Sequence, residues 1–133
     1  LESTLAALRA KHGYALLWDA HSIPSIVPRL FDGELPELNI GTDGGKSCAA
    51  SIETAVADAT RAGPYSVVVN GRFKGGYITR HYGSPGNDVH AIQLEIAQRA
   101  YMDEATMVFD VEKAGRLRDR LRCVLEVFLS AAR

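Results

Sequence analysis

Ala15-Leu16-Leu17-Trp18-Asp19-Ala20-His21-Ser22 is an apolar run that ends abruptly in an acid, an imidazole and a hydroxyl. Continuous apolar runs of this length are what strands of a parallel sheet look like when both faces are covered, and open α/β sheets bind ligands beyond the carboxyl ends of their strands. The stretch therefore predicts a buried strand with chemistry at its tip. If the chain is still extended there, the i, i+2 spacing sends Asp19 and His21 to the same side, where one could bind a metal while the other orients it. The plainer alternative is that both cap the strand and hydrogen-bond the following loop.

The rest of the composition limits what such a site could serve. With 133 residues, 23% of them charged and only five prolines, the sequence predicts one compact globular α/β domain over residues 1–133, large enough to fold without disulfides or a structural metal. A metal, if present, would be functional. The net charge of −1 and pI near 6.5 provide no general attraction to nucleic acid or to a membrane surface, so neither partner is expected. Cys48 and Cys123 lack C-x-x-C spacing and read as buried free thiols of a cytoplasmic protein. No apolar segment reaches the roughly 20 residues that a membrane helix needs.

Working outward from the opening stretch, Leu1, Leu5 and Leu8 recur at helical spacing, and His12-Gly13 supplies the chemistry of a helix end. Pro24 and Pro28 make the segment from Ile23 to Gly33 a structured loop, with Arg29 inside it. Leu35 to Ile40 reads as a short strand running into the glycine-rich loop Gly41–Lys46, which lacks the Walker ending of a phosphate loop. Ser47 is the expected N-cap of a helix with Ile52, Ala55, Val56 and Ala59 on one face, stopped by Gly63-Pro64. Ser66–Asn70 reads as a buried strand and Tyr77–Tyr82 as a further extended piece.

From His90 to Ile96 the residues alternate, with Ile92, Leu94 and Ile96 on one side and Ala91, Gln93 and Glu95 on the other. This is strand periodicity, although Ile92, Ile96 and Ala100 also fit a helix face; we read a strand. Asp110 is placed to cap a final amphipathic helix whose Leu117, Leu121, Val124 and Phe128 form one face. The arginines on its other face read as a solvated surface rather than a nucleic-acid site, because the chain has no net positive charge.

Asp19 and His21, the acid Glu95, and arginines in glycine-flanked segments at Arg29, Arg72 and Arg80 are parts suited to a metal-assisted hydrolase with an anionic substrate. Zinc lowers the pKa of its bound water to ~7 while a nearby carboxylate moves the proton. One histidine is too few, since catalytic zinc usually takes three protein ligands.

The ordered series Leu17-Trp18-Asp19-Ala20-His21-Ser22, Pro28-Arg29-Leu30-Phe31-Asp32-Gly33, Leu35-Pro36-Glu37-Leu38-Asn39-Ile40-Gly41-Thr42, Asn70–Gly83 and His90-Ala91-Ile92-Gln93-Leu94-Glu95 resembles the N-formylglutamate amidohydrolase (deformylase) family, specifically its carboxyl-terminal half. That resemblance implies a three-layer α/β/α fold with a mixed, mostly parallel sheet, similar to zinc carboxypeptidases (phosphorylase/hydrolase-like). It implies hydrolysis of the small molecule N-formyl-L-glutamate to formate and L-glutamate, the last step of one route of histidine degradation. It also implies one zinc ion with His21 as a ligand, Asp19 behind it and Glu95 as the catalytic acid/base. The remaining ligands are expected from residues before Leu1, so the chain by itself is expected to bind zinc weakly and to be inactive.

A substrate with two carboxylates favours arginine, whose planar fork pairs with a carboxylate bidentately. Arg80 is the first choice, with Arg29 weaker and with Asn39 and Thr42 as further substrate contacts; surface ion pairing and turn capping are the plainer alternatives. Arg72 and Lys74 fall in an expected turn, where solvated charges are the commonest outcome. Ser22 and His21 are adjacent on an extended segment and point to opposite faces, which argues against a serine nucleophile. The rival readings are a related zinc acyl-amino-acid hydrolase or carboxypeptidase-type peptidase, and a non-catalytic domain lacking the full metal site.

Overall fold

The computed structural model describes residues 1–132. Its first helix, α1 (Glu2–His12), ends at Gly13, whose φ of 84° provides the left-handed turn that a glycine adopts without strain. The strands β1 (Ala15–Ile23), β2 (Leu38–Gly41), β3 (Val67–Val69) and β4 (Val89–Ala97) form one sheet in the order β1-β4-β2-β3. β1 is parallel to β4 and β2 is parallel to β3, while β2 and β4 run antiparallel. The sheet is thus mixed and mostly parallel, as expected. A small hairpin of β5 (Met102–Asp103) and β6 (Val108–Phe109) precedes the last helix.

The alternation read from β4 decides the two faces. Ile92, Leu94 and Ile96 join Leu38 and Ile40 of β2 in the apolar core, together with Ile52 and Val56 of α2 (Ala50–Arg61) and Leu117, Val124 and Phe128 of α4 (Val111–Ala131). Trp18 of β1 lies on the same side, its ring 5.6 Å from that of Phe128. With period-2 geometry, Asp19, His21, Gln93, Glu95 and Asn39 must leave the opposite face. That second face is covered by α3 (Tyr77–Tyr82) and α1, which line a shared cavity with Val89. Two helices therefore lie on each side of the sheet.

Several local expectations are corrected. β1 is still extended through Asp19 and His21 and runs to Ile23, but it is a half-buried edge of this sheet rather than a strand covered on both sides. β3 is likewise a half-buried edge, and β2 begins at Leu38 rather than Leu35. Tyr77–Tyr82 is helical: Gly83 N–H bonds back to Thr79 O at 3.0 Å, Thr79 is fully buried, and Tyr77 stacks on His81 at 4.8 Å. Its strand-like composition yields to these contacts, which only a helical i, i+4 geometry can make. Ser47 does not cap α2, because its Oγ donates to Ala91 O at 2.8 Å. Instead, His90 Nδ1 accepts the N–H of Ala49, the residue before the helix, at 3.3 Å. Asp110 does cap α4, accepting from Lys113 N at 2.9 Å. Of the two free cysteines Cys48 is buried, but Cys123 is exposed.

Candidate active site

The backbone register brings the opening stretch and the acid of β4 together. His21 pairs with Glu95 and Asp19 with Gln93 along the parallel β1–β4 ladder, so all four side chains leave the same face. Neighbouring strands are about 4.8 Å apart, which makes these cross-strand pairs direct neighbours. They line a cavity of about 260 Å³ together with Gly76, Tyr77 and Ile78.

His21 and Asp19 form a dyad within one strand. His21 Nε2 lies 2.8 Å from Asp19 Oδ1. A carboxylate can only accept, so Nε2 donates and Nδ1 of the neutral ring is left with its lone pair. The imidazole is 49% exposed and its carboxylate 12%, an arrangement in which a sheltered acid orients an accessible base.

Glu95 is buried, and this burial pushes its pKa above the ordinary carboxylate value. His21 pulls in the opposite direction and Asp19 adds to the rise. A carboxyl group shifted toward neutrality, beside an oriented imidazole, is suited to taking and returning a proton.

A second cavity, of about 340 Å³, shares Gly76 and Gln93 with the first and is also lined by Arg72, Phe73, Lys74, Gly75 and Arg80. The Lys74–Gly76 segment, part of the lining of this second cavity, is held by a hydrogen bond at each of its residues. Asp43 N–H donates to Lys74 O at 2.5 Å, Arg80 Nη1 to Gly75 O at 2.7 Å, and Gly76 N–H to Gln93 Oε1 at 2.6 Å. Gly41 lets this segment lie close, since a Cβ there would fall 2.6 Å from backbone atoms of Lys74 and Gly75.

Of the expected substrate contacts, only Arg80 lines either cavity. Asn39 is 1% exposed and donates through Nδ2 to Pro36 O at 2.7 Å and Glu95 O at 3.0 Å, so it holds the backbone under Glu95 rather than facing the cleft. Thr42 is fully buried, its hydroxyl bonded to Glu53 and its N–H to Asn70 Oδ1 at 2.9 Å. Arg29 lies exposed in the turn at residues 28–30, outside both cavities. Gln93 lines both cavities and is absent from the set of site residues expected on sequence. Its signal is its position two residues before Glu95, on the same side of the alternation.

A family model described as N-formylglutamate amidohydrolase matches residues 1–102. The chain belongs to the N-formylglutamate amidohydrolase family. Among curated members, the N-formylglutamate deformylase of Pseudomonas aeruginosa is 54% identical over 134 residues, covering 97% of this chain and 49% of that protein. The enzyme of the same name from Pseudomonas putida is 56% identical over 108 residues, covering 78% of this chain and 39% of that protein. The chain thus spans about half the length, or less, of these relatives. The crystal structure of an N-formylglutamate amidohydrolase from Ralstonia eutropha JMP134 superposes with a TM-score of 0.85 at 23% identity, over 98% of this chain and 48% of that one, and supports the family fold. No described helix is long and apolar enough to cross a membrane.

Proposed function

We propose that this chain carries the proton-transfer and substrate-binding part of a metal-dependent hydrolase that cleaves N-formyl-L-glutamate to formate and L-glutamate. The observation that carries the reading is the pairing of Glu95 with His21 beside a cavity lined by three cations, Arg72, Lys74 and Arg80. The names of the two Pseudomonas relatives support the substrate.

In this reading the formyl amide lies against Glu95 and His21, and the carboxylates of the glutamate lie in the basic cavity. Glu95 takes a proton from the attacking water as the new C–O bond forms, then delivers it to the amide nitrogen as the C–N bond breaks. Its raised pKa favours both halves of that exchange, because a strongly acidic carboxyl would take the proton poorly. Arg80 is proposed as a carboxylate ligand through the guanidinium donors that Gly75 O does not use.

The donor set suits zinc as a partial site. His21 presents a free Nδ1 with Asp19 fixing the ring, the arrangement in which a ligating imidazole is oriented from behind. Bound there, zinc would supply Lewis acidity to the formyl oxygen and lower the pKa of water to ~7. The described residues contain no group of three His, Cys, Asp or Glu side chains able to hold a metal, and in this reading the further ligands come from outside them. Both cysteines are free, which suits the cytoplasm, and the products fit a final step in histidine degradation.

The test is formate release from N-formyl-L-glutamate, with zinc supplied, by protein of the relatives' full length that contains this chain. N-acetyl-glutamate and carboxyl-terminal dipeptides serve as competitors. Formate release that depends on Glu95 and His21 is expected. Preferential cleavage of the dipeptides would favour the peptidase reading, and absence of any hydrolysis would overturn both.

A further inference from the structure

Arg72 and Lys74 have no hydrogen bond or ion pair from their side chains among the described residues, although both line the basic cavity. Arg80, by contrast, already spends one guanidinium nitrogen on Gly75 O. No acidic side chain lines this cavity, and the only other polar side chain is Gln93. Two uncommitted cations lining a concave space without an acid make a site suited to an anion.

The support of Lys74 is rigid. The backbone that carries Lys74 is tied to Asp43, and the next two residues are tied to Arg80 and Gln93. Cations on a fixed backbone lose less freedom on binding than cations on a mobile loop, so more of each charge-assisted bond appears as affinity.

The cavity also has a fixed relation to the His21–Glu95 cleft. Gly76 and Gln93 line both spaces, whereas Arg72 and Lys74 line only the basic one. A group held by Arg72 and Lys74 therefore lies in the space that adjoins the cleft at Gly76 and Gln93.

We propose that Arg72 and Lys74 form a subsite for the side-chain carboxylate of an N-acylated amino diacid, with Gln93 as the positioning residue that sets its distance from Glu95. This rests on the hydrolase reading above and adds to it the source of discrimination. Selectivity for a diacid over its uncharged side-chain amide comes from these two cations, and Arg80, which also holds Gly75 O, is left to the other carboxylate. Gln93 acts through Gly76 N–H, so it controls where the segment bearing Lys74 sits.

The experiment compares N-formyl-L-glutamate with N-formyl-L-glutamine in the full-length protein, before and after Arg72→Gln combined with Lys74→Gln. Glutarate binding is measured by calorimetry on the same proteins. Loss of charge-assisted bonds worth a factor of about 10 to 100 should raise KM for the glutamate substrate by that amount and erase the preference over glutamine. Glutarate binding should weaken in parallel. Gln93→Met, which cannot accept from Gly76, should raise KM more than it lowers kcat, and Gln93→Glu should restore the Gly76 bond without restoring affinity for the diacid. Circular dichroism and the unfolding midpoint verify that each variant is folded. If the double variant keeps both its diacid preference and its glutarate affinity, the subsite is overturned while the hydrolase reading stands. If glutarate binding depends on Arg72 and Lys74 but formylglutamate is not cleaved by the unaltered protein, the subsite stands and the hydrolase reading falls.

Discussion

His21 and Glu95 stand in register on neighbouring parallel strands and leave the same face of the sheet, although 74 positions separate them in the chain (95 − 21). Every other element of the candidate site is arranged around that pair. Asp19 orients the imidazole, Asn39 holds the carbonyl of Glu95, and Gln93 fixes the segment that leads to the basic cavity.

Burial raises the pKa of Glu95, so the group favours folding when protonated. Its stabilising contribution is full below the ordinary carboxylate value and is lost as pH rises through the higher folded value. Glu95→Gln should therefore raise the urea midpoint at pH 7 and leave it nearly unchanged at pH 4, while abolishing the proposed hydrolysis. Equal midpoints at pH 7 would mean that the buried carboxylate carries no cost.

Asp19→Asn keeps the shape of the side chain but weakens its hold on His21 Nε2–H. Zinc affinity at His21, followed by calorimetry at constant pH, should fall about 10- to 100-fold, the usual cost of losing the carboxylate behind a ligating histidine. An unchanged affinity would remove Asp19 from that role.

His90 is buried, and burial lowers its pKa below the ordinary 6.5, with Asp88 opposing part of the shift. Its neutral Nδ1 accepts from Ala49 N–H at the start of α2, and protonation would turn that acceptor into a donor. Its contribution is fully present above pH 6.5 and is lost as pH falls from there through the lowered folded value. His90→Phe should flatten the pH dependence of the thermal midpoint in this window and cost about 1 kcal/mol at pH 8 from the lost bond.

At Gly83 an added Cβ would lie 2.4 Å from Ser47 Cβ and 2.7 Å from Ser47 Cα and O. Backbone atoms cannot swing aside, so Gly83→Ala should destabilise the fold by about 1–3 kcal/mol, measured by chemical denaturation. Ser47 would also be displaced from Ala91 O, the bond that ties the start of α2 to β4.

The Cys48 thiol is buried, and desolvation, reinforced by Glu53, pushes its pKa up to about 12. Since the thiolate is the reactive species, a thiol reagent at pH 8 should modify only the exposed Cys123 of the native protein. Rapid release of two equivalents would show that the region around Cys48 opens readily.

The sequence by itself determined the features that repeat along the chain. Alternation of Ile92, Leu94 and Ile96 with Gln93 and Glu95 fixed which side of β4 faces the core, and the same geometry put Asp19 and His21 together. Gly13 and Asp110 announced their helix ends because each acts within a few residues of itself. Tertiary structure alone decided what depends on contacts between distant segments. Tyr77–Tyr82 is helical because it packs on β4 with Thr79 buried, Ser47 gives up its capping role to bond Ala91 O, and Thr42 is turned inward by Glu53 and Asn70. Arg72 and Lys74 read as turn charges until the fold places them around a cavity that shares Gly76 and Gln93 with the His21–Glu95 cleft. Periodicity is written in neighbouring residues, whereas the partner that satisfies a buried polar group, or a cation's access to a cleft, exists only once remote strands have paired.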